Sequence, residues 1–390
     1  MAIKILSVDD EGDMEMLIMQ QFRRRIRDKD LEFVFANNGA EALAKLEEHG
    51  DITMILSDIN MPEMDGLTFL SKLNEKNNPY QKAVMVSAYT DMDNIRTAMN
   101  RGAFDFVTKP INFSDLEITI NKTIAHIDML VRSQQDHDQL VAIQNDISIA
   151  QEIQQAMLPK AFPAFPNRTD FDLHGFLKAA KFVGGDLFDY FLMDDNRLFF
   201  LIGDVSDKGI PASLFMAITK AIFKSHFSNK NCGTICEEVA RINSFLSADN
   251  QSMMFVTAFL GILDLTTGVI EYIDAGHEPP LILRKNGEVE VLKKQGGMAL
   301  CIDGDYNYVS HTITLQPSDT LFTYTDGVPD ANNKTGERFG MQRVKDILIA
   351  QTTAASPKQI NDSVLSHLQE FIGSHAQFDD ITALTLHYAG

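Results

Sequence analysis

The sequence has few cysteines and no long apolar run, and both shortages exclude classes of protein. Among 390 residues only Cys232, Cys236 and Cys301 are cysteine, an odd number that argues against a disulfide framework and favours the reducing cytoplasm. The first residues, MAIKILSVDDE, lack the charged and then apolar pattern of a signal peptide. No apolar run reaches the roughly 18 residues that a membrane-spanning helix needs. We therefore expect a cytoplasmic protein.

Positive charge is also scarce. Lys and Arg number 34 against 54 Asp and Glu, which gives a formal net charge of -20. Nucleic acid and anionic membranes are therefore poor partners, and the absence of a basic helix-turn-helix segment excludes a DNA-binding regulator. Apolar residues make up 45% of the chain and charged residues 23%, which suits folded domains rather than disorder. The length predicts two or three such domains.

Cys232 and Cys236 are spaced like half of a metal site. A structural zinc site needs four ligands, and the sequence has no second pair of Cys or His residues to complete this one. We therefore favour two half-buried helix residues over a pair of metal ligands.

Residues 1–112 alternate short apolar runs with amphipathic stretches, which predicts a parallel sheet covered by helices on both faces. The predicted strands are Ile3–Val8, Glu32–Ala36, Ile52–Ser57, Ala83–Ser87 and Phe104–Thr108. The predicted helices are Met14–Arg27, Ala40–Glu48, Leu67–Asn74 and Asp91–Arg101. Ligands of such sheets bind at the carboxyl ends of the strands, so functional residues are expected directly after strands.

Acidic residues follow two of these strands. Asp9 and Asp10 come directly after the first strand and Asp58 after the third, so the three carboxylates should meet at one edge of the sheet. They would repel one another unless a cation neutralised them, and hard oxygen ligands suit Mg²⁺. Ser87 ends the fourth strand and Lys109 follows the fifth. These two supply a hydroxyl and a cation for the oxygens of a transferred phosphoryl group.

The segments VDDE, SDINMPEMDG, VSAY and GAFDFVTKP resemble the receiver domain of two-component response regulators. The resemblance implies a flavodoxin-like fold, bound Mg²⁺ and phosphorylation of Asp58 by a sensor histidine kinase. The implied Mg²⁺ ligands are Asp9, Asp10, Asp58 and the backbone carbonyl of Asn60. The other implied site residues are Ser87 as the switch hydroxyl, Phe106 as the switch aromatic and Lys109 as the phosphate-contacting lysine. Aspartates that merely cap helices are a poor alternative, because capping does not require Lys-Pro after the last strand.

Residues 113–157 have the spacing of a long helix with a coiled-coil seam. The seam residues are Ile120, Ile124, Ile127, Val131, Leu140, Ile143, Ile147 and Ala150. A polar stretch, Arg132–Gln139, interrupts the seam and is a predicted hinge. Two packed helices, or one helix pairing with its copy in a homodimer, would explain the apolar stripe, whereas a solvated tether needs none. Pro159, Pro163 and Pro166 then mark a domain boundary.

The remainder, 158–390, predicts antiparallel sheets with helices outside them. The predicted strands are Phe171–Leu177, Leu198–Ile202, Met254–Leu263, Val269–Ile273, Leu281–Leu283, Thr312–Leu315, Leu321–Thr325 and Ile381–His387. The predicted helices are Ala212–Phe227, Cys232–Ser247, Met341–Ala350 and Pro357–Ile372. The chain is thus expected to have three parts: a first domain at 1–112, a helical linker at 113–157 and a last domain at 158–390.

Four acidic motifs each adjoin a predicted strand in the last domain. They are GGDLFDY at 184–190, GDVSDKG at 203–209, TDG at 325–327 and DD at 379–380. Glycine beside aspartate lets the backbone approach a metal ion closely. Two divalent cations bridged by carboxylates bind a phosphate ester, neutralise its charge and lower the pKa of a bridging water. Because no His or Cys cluster accompanies the motifs, Mg²⁺ or Mn²⁺ is the expected metal.

These motifs resemble the PPM family of Ser/Thr phosphatases, in the bacterial branch typified by RsbU and SpoIIE. AQEIQQAMLP, AGHEPP, YTDGVPDA and DDITAL belong to the same resemblance, which covers roughly Ile149 to Leu386. It implies a β-sandwich flanked by helices, two Mn²⁺ or Mg²⁺ ions, and a substrate phosphorylated on serine or threonine, such as an anti-sigma-factor antagonist. The implied metal ligands are Asp186, Asp204, Asp326, Asp379 and the carbonyl of Val205, with Asp204 bridging both ions and holding the nucleophilic water.

Three positions stay open. Asp207 stands where this branch often has glycine, and either recruits a further cation or, as we favour, faces solvent, because loops are usually exposed. Lys181 stands where relatives commonly carry arginine, and lacks the bidentate geometry of arginine. His277 either protonates a leaving group or, as we favour, stabilises a turn.

Together the two resemblances predict a relay. Phosphorylation of Asp58 would rearrange the face made by the fourth helix, fifth strand and fifth helix of the receiver, and the linker would pass the change to the phosphatase. The chain ends soon after the DDIT strand, so an opposing kinase is expected on another chain. The alternative is a non-enzymatic adaptor whose phosphatase-like domain binds a sigma factor or its regulator. The presence of all four carboxylates argues against that alternative.

Overall fold

The computed structural model describes residues 2–88, 91–229, 233–248, 250–351 and 355–390. It divides into two compact units, Met1–Ile143 and Gln144–Gly390. Cys232, which begins a predicted helix, and Tyr89 of the VSAY segment lie outside the described residues. No described helix combines the length and the apolar character needed to cross a membrane.

The first unit is built on a five-stranded parallel sheet in the order β2-β1-β3-β4-β5. Its strands are β1 Ile3–Val8, β2 Leu31–Ala36, β3 Ile52–Asp58, β4 Lys82–Ala88 and β5 Asp105–Lys109. All five predicted strands are present, with ends that differ by one residue. This strand order places the carboxyl ends of β1 and β3 side by side, at the point where a doubly wound sheet binds its ligand.

Helices cover this sheet on both faces. They are α1 Asp13–Gln21, α2 Arg23–Arg27, α3 Gly39–Glu48, α4 Gly66–Glu75, α5 Met92–Asn100 and the first part of α6 Phe113–Met157. Asn38 and Asp65 begin α3 and α4 by accepting hydrogen bonds from Glu41 N and Thr68 N, respectively. The single predicted helix Met14–Arg27 is wrong, because the backbone leaves the helical conformation at Phe22, a residue buried in the core.

Neighbouring residues of one strand enter different cores of the first unit. Leu6 and Ile55 pack in the core beside α3 and α4, whereas Ile5 and Met54 pack in the core that includes residues of α1 and α6. This alternation follows from the two-residue period of a β-strand. A sheet buried on both faces explains why its strands read as nearly continuous apolar runs.

Helix α6 continues without a break from Phe113 to Met157. The predicted alternative of two packed helices is therefore wrong, and no break in the helix marks the predicted hinge at Arg132–Gln139. The polar run interrupts the apolar seam without ending the helix, because solvated polar side chains are compatible with helical backbone. A hydrogen bond of 2.8 Å from Gln134 Nε2 to Asp138 Oδ1, four residues on, supports the helix locally.

The second unit contains two antiparallel five-stranded sheets, in the orders β13-β10-β9-β8-β7 and β12-β11-β14-β15-β6. The strands are β6 Phe171–Lys178, β7 Leu187–Leu192, β8 Arg197–Val205, β9 Val256–Asp264, β10 Val269–Ala275, β11 Leu281–Leu283, β12 Val289–Val291, β13 His311–Thr314, β14 Asp319–Tyr324 and β15 Ile381–Tyr388. The helices are α7 Ile210–Phe227, α8 Ile235–Ala248, α9 Gly340–Ile349 and α10 Pro357–Ile372.

Side chains of β8 show how the layers stack. Leu198, Phe200 and Ile202 enter the core shared by the two sheets, while Phe199 and Leu201 pack with residues of α7 and α8. A further core joins the outer face of the other sheet to α9 and α10. The predicted sandwich with helices outside it is thus confirmed.

Two strands of the second unit, β7 and β12, were not predicted. Leu187 and Phe188 at the start of β7 are both buried, so this strand lacks the alternation by which a strand is recognised. Strand β12 is only three residues long and none of its side chains is buried.

Candidate phosphoacceptor and metal sites

Three carboxylates meet at the carboxyl edge of the parallel sheet. Asp9 and Asp10 follow β1, and Asp58 is the last residue of β3. Among the described residues, they form the one group of three or more Asp, Glu, His or Cys side chains whose ligand atoms all lie within 4.8 Å of one another. Such a set of hard oxygen atoms fits Mg²⁺.

Lys109, at the end of β5, lies among these carboxylates. Its Nζ is 2.6 Å from Asp58 Oδ2 and 3.0 Å from Asp9 Oδ2. Burial opposes the charged form of Lys109, but the hydrogen bonds to Asp58 and Asp9 outweigh it and raise the pKa of the ammonium group. The lysine therefore stays charged beside the predicted phosphoacceptor.

Ser87 and Ser57 are both fully buried, but their hydroxyl groups differ in hydrogen bonding. Ser57 Oγ donates to the backbone carbonyl of Asp58 at 2.9 Å. Ser87 Oγ has no hydrogen-bond partner among the residues that the structure describes. A buried hydroxyl without a partner is uncommon, and it suits a group that bonds to a transient phosphoryl oxygen.

The remaining predicted receiver residues lie at the same edge or on the surface. Asn60 N donates to Asp58 Oδ1 at 3.3 Å, which places Asn60 beside the phosphoacceptor. Phe106, in β5, is 37% exposed. The roles of Asn60 as a carbonyl ligand and of Phe106 as a switch stay predictions.

The second unit also gathers its predicted carboxylates. Asp186 precedes β7, Asp204 lies in β8, Asp326 follows β14 and Asp379 precedes β15. Burial, together with repulsion from Asp204 and Asp380, raises the pKa of Asp186. Burial and repulsion from Asp326 and Asp379 raise the pKa of Asp204 to about 7. Burial and repulsion from Asp379 likewise raise the pKa of Asp326.

Carboxylates that repel one another, with Asp186 fully buried, are stabilised by compensating positive charge. The donor set consists of oxygen atoms, which fits Mg²⁺ or Mn²⁺. Among the described residues, no three of these carboxylates have ligand atoms that all lie within 4.8 Å of one another, as those of Asp9, Asp10 and Asp58 do.

Val205 shares this site through its backbone. Its N–H donates to the carbonyl of Gly185 at 3.4 Å. A Cβ atom on Gly185 would lie 2.7 Å from the carbonyl oxygen of Val205, so glycine is required at this close approach. The predicted role of the Val205 carbonyl as a metal ligand is not tested by these contacts.

Asp380 has a positioning role that the sequence reasoning missed. Its carboxylate accepts hydrogen bonds of 2.7 Å from both Ala180 N and Gly185 N. Thr325 Oγ1 in turn donates to Asp186 Oδ2 at 2.8 Å. The second aspartate of the DD motif was the available signal, because two adjacent acidic residues at a strand start cannot both point the same way.

Lys208 was also missed. Its Nζ lies 3.0 Å from Asp379 Oδ2, 2.7 Å from the carbonyl of Phe378 and 4.0 Å from the centroid of the Phe378 ring. The lysine of GDVSDKG therefore places a cation beside a predicted metal ligand.

His277 is buried, and both of its ring nitrogens have hydrogen-bond partners. One ring nitrogen, Nδ1, is 2.9 Å from Thr257 Oγ1, and the other, Nε2, is 3.1 Å from the carbonyl of Tyr324. Burial lowers the pKa of the imidazole to about 4, so it is neutral at pH 7 and has no proton to spare for a leaving group. The turn-stabilising interpretation is the one that this geometry supports.

The other open positions lie at the surface. Asp207 is exposed and has a φ of 69°, in the left-handed region that glycine prefers. Lys181 is exposed as well. Cys236 is partly buried and packs against the core formed with α7 and α8, as predicted for a half-buried helix residue.

Fold and site together define a chain with a phosphoacceptor-type parallel sheet and a double-sheet unit that gathers carboxylates, from buried Asp186 to exposed Asp326, at one edge. Residues 194–389, just over half of the 390, match the family described as Stage II sporulation protein E (SpoIIE), and the chain belongs to that family. Residues 5–121 match the response regulator receiver domain. Both predicted resemblances are confirmed.

Individual relatives match different shares of the chain. Protein IcfG of Synechocystis sp. is 30% identical over 267 residues, which are 62% of this chain and 41% of that protein. The chain thus spans less than half the length of IcfG. Phosphoserine phosphatase RsbU of Bacillus subtilis is 27% identical over 259 residues, 65% of this chain and 74% of that protein. Among solved structures, the SiaA-PP2C domain of Pseudomonas aeruginosa shares the fold, with a TM-score of 0.55 at 23% identity over 64% of this chain and 98% of that domain.

Proposed function

We propose that this chain is a metal-dependent protein phosphatase whose activity is controlled by phosphorylation of Asp58. The observation that carries the proposal is the presence of two acidic sites on one chain. One contains an aspartate beside a charged lysine and a buried hydroxyl that has no partner among the described residues, and the other contains carboxylates that repel one another. The first arrangement suits reversible phosphorylation, and the second suits binding of metal ions for phosphate hydrolysis.

In the first unit, Asp9, Asp10 and Asp58, with the carbonyl of Asn60, would hold Mg²⁺. A sensor histidine kinase would donate the phosphoryl group to Asp58. Lys109, 2.6 Å from Asp58, then bonds to one phosphoryl oxygen, and the unpaired Ser87 hydroxyl bonds to another.

In the second unit, the residues that would hold two Mn²⁺ or Mg²⁺ ions are Asp186, Asp204, Asp326, Asp379 and the carbonyl of Val205. Such ions, when bound, neutralise the phosphate and make water a stronger nucleophile at neutral pH. Lys208 adds a cation at the outer edge, beside Asp379. Neutral His277 fixes the strand ends and takes no part in proton transfer.

The substrate that we propose is a phosphoserine or phosphothreonine on a regulatory protein, specifically an anti-sigma-factor antagonist. The name of RsbU, a phosphoserine phosphatase, supports the residue type. The resemblance to the RsbU and SpoIIE branch supports the kind of protein. A variant with Asp204 replaced by Asn should retain substrate without hydrolysing it, so the phosphoprotein that it retains from cells would test this proposal.

We also propose the three-part division at 1–112, 113–157 and 158–390, with a homodimer formed through the helical linker. Helix α6 exposes a series of apolar side chains that a second copy would cover: Leu140, Val141, Ile143, Ile149 and Ile153. The solution mass of the full chain should therefore be that of a dimer. A double substitution of Leu140 and Ile143 by Glu should give a monomer, and a monomeric wild-type chain would contradict the proposal.

Four rates test the control by Asp58. Hydrolysis of an aryl phosphate with Mn²⁺ is measured for the wild type and for Asp58→Ala, each with and without a small-molecule phosphoryl donor such as acetyl phosphate. We expect the donor to change the wild-type rate and leave the Asp58→Ala rate unchanged. Four equal rates would refute the control, and no hydrolysis with any metal would favour the adaptor.

A further inference from the structure

A buried glutamine of helix α6 bonds directly to the backbone beside the second metal site. Gln154 is 6% exposed, and its neighbours Ile153 and Gln155 are exposed. Its Nε2 donates to the carbonyl of Gly184 at 2.6 Å, and its Oε1 accepts from the N–H of Gly184 at 3.1 Å. One side chain thus satisfies both backbone groups of a single residue.

The segment that Gln154 holds leads straight into the site. Gly185 N donates to Asp380, Gly185 O accepts from Val205 N, and Asp186 follows. Gly184 is in addition pressed against Asp380, since a Cβ atom there would lie 2.1 Å from Asp380 Oδ2. Gln154 and Asp380 therefore fix this segment from two directions.

We propose that Gln154 is a positioning residue that sets the affinity of the second unit for its metal ions. This inference rests on the proposed function, in which Asp186 and the Val205 carbonyl hold those ions. With both hydrogen bonds in place, the backbone of Gly184 and Gly185 is held in one conformation, and this places Asp186 at the proposed metal site. Without the two bonds from Gln154, the hydrogen bonds that this segment keeps among the described residues are those to Asp380 and Val205. Ordering the segment then offsets part of the free energy of metal binding.

The test is Mn²⁺ binding to the full-length chain, measured by calorimetry. All proteins carry Asp9→Asn and Asp10→Asn, so that only the second unit binds the ion. Gln154→Met keeps the length and removes both hydrogen bonds, and Gln154→Asn keeps the amide but is one methylene too short. Gln155→Met is the matched control, because it makes the same change at the exposed neighbouring position.

We expect both Gln154 substitutions to weaken Mn²⁺ binding by about 10-fold or more, as loss of groups that orient metal ligands does, and the control to stay within about 2-fold. Saturating Mn²⁺ should restore most of kcat for an aryl phosphate, which general structural damage would not allow. Binding by both Gln154 variants within about 2-fold of Gln155→Met would overturn the inference. Failure of the proposed function is a different result, in which the wild type binds Mn²⁺ and hydrolyses nothing.

Discussion

The two acidic sites of this chain contain the same side chain, aspartate, yet their charge is balanced in different ways. In the first unit, Lys109 Nζ lies 2.6 Å from Asp58 and 3.0 Å from Asp9. In the second unit, Lys208 forms its ion pair with Asp379, while burial and repulsion from neighbouring carboxylates raise the pKa values of Asp186 and Asp204. One site contains a lysine that balances its charge, and in the other the ion pair lies at the outer carboxylate, Asp379.

The difference fits the function that we propose for each site. An aspartate that is phosphorylated and dephosphorylated needs a cation that can change partners, and a flexible lysine at the end of a strand meets that need. Ions that activate water must be held in a fixed register. In the second unit Thr325 donates to Asp186, and Asp380 and Gln154 hold the backbone that leads to Asp186.

The largest effect that we predict would come from removing a carboxylate from the second site. Asp204→Asn should lower hydrolysis of an aryl phosphate on the order of 10³-fold, because metal assistance contributes several kcal/mol and each ~1.4 kcal/mol is tenfold in rate. Asp207→Asn, an exposed change three residues on, is the matched control and should retain most of the activity. Equal loss in the two variants would contradict the assignment of Asp204.

Acid should destabilise the second unit through His277. The pKa of His277 is about 4 in the folded chain, against an ordinary 6.5. Below pH 6.5 the unfolded chain binds a proton at this side chain that the folded chain does not, so this stability is complete above pH 6.5 and is lost as the pH falls towards 4. The loss between pH 7 and pH 4 should be about 3 kcal/mol.

Urea unfolding of the wild type and of His277→Gln, measured at several pH values, isolates this effect. The carboxylates of the metal site titrate in both proteins, so they cancel in the difference. We expect the stability difference between the two proteins to shrink as the pH falls. A difference that does not change with pH would show that His277 is not a buried neutral imidazole.

Substitutions of Asp379 and Asp380 should distinguish a metal ligand from a residue that positions the backbone. In EDTA, Asp380→Asn should lower the free energy of unfolding by about 2 kcal/mol, because an amide nitrogen would then face a backbone N–H donor. Asp379→Asn should change stability by less than about 1 kcal/mol, since it loses only a partly exposed ion pair with Lys208. With Mn²⁺ present, Asp379→Asn should nevertheless lose activity. The reverse order of stabilities in EDTA would assign the positioning role to Asp379.

The residues that could be predicted from the sequence are those that end or follow strands. Asp9, Asp58 and Lys109 follow apolar runs, so topology alone places them at one edge. The four carboxylates of the second unit were predicted from short acidic motifs, and glycine adjoins three of them, Asp186, Asp204 and Asp326. The fold was predictable for the same reason, because alternation of apolar and polar residues is a local property of the chain.

What could not be predicted depends on contacts between distant segments. Gln154 and Gly184 are 30 residues apart, and nothing local indicates that a helix side chain bonds to that backbone. A signal was nevertheless present, since Gln154 continues the apolar seam four residues after Ala150. A polar side chain at a seam position must find a buried partner. The polar run Arg132–Gln139 suggested a break that is absent from the helix, because the run interrupts the apolar seam while the helix continues through it.

The two buried serines of the first unit provide a smaller test. Ser57→Ala should lower the free energy of unfolding by about 1 kcal/mol, because the hydrogen bond to Asp58 O is lost. Ser87→Ala should change it by less than about 0.5 kcal/mol, because in the unphosphorylated protein no hydrogen bond among the described residues is lost. For the response to phosphorylation we expect the opposite ranking. Ser87→Ala should reduce the change in phosphatase rate that the phosphoryl donor causes, and should do so more than Ser57→Ala does. Equal rate changes in the two variants would contradict the predicted role of Ser87 as the switch hydroxyl.

Asp207 gives the smallest effect and bears on how far the second site extends. Its φ of 69° strains a residue with a side chain, although aspartate tolerates this region better than most. Asp207→Gly should therefore raise the free energy of unfolding by somewhat less than about 1 kcal/mol, and Asp207→Ala should lower it by a similar amount. Both changes remove the same charge, so the melting temperatures of the two variants compare the relief of backbone strain with the extra freedom of glycine in the unfolded chain.

The Mn²⁺ dependence of the same two variants decides the role of the carboxylate. If Asp207 faces solvent, as its exposure indicates, both variants should reach half-maximal activity at the wild-type Mn²⁺ concentration. If Asp207→Gly and Asp207→Ala both needed more Mn²⁺ than the wild type, by a similar factor, the carboxylate of Asp207 would be shown to recruit a cation. The second site would then include a ligand held by a strained backbone, and its contrast with the compensated first site would be greater still.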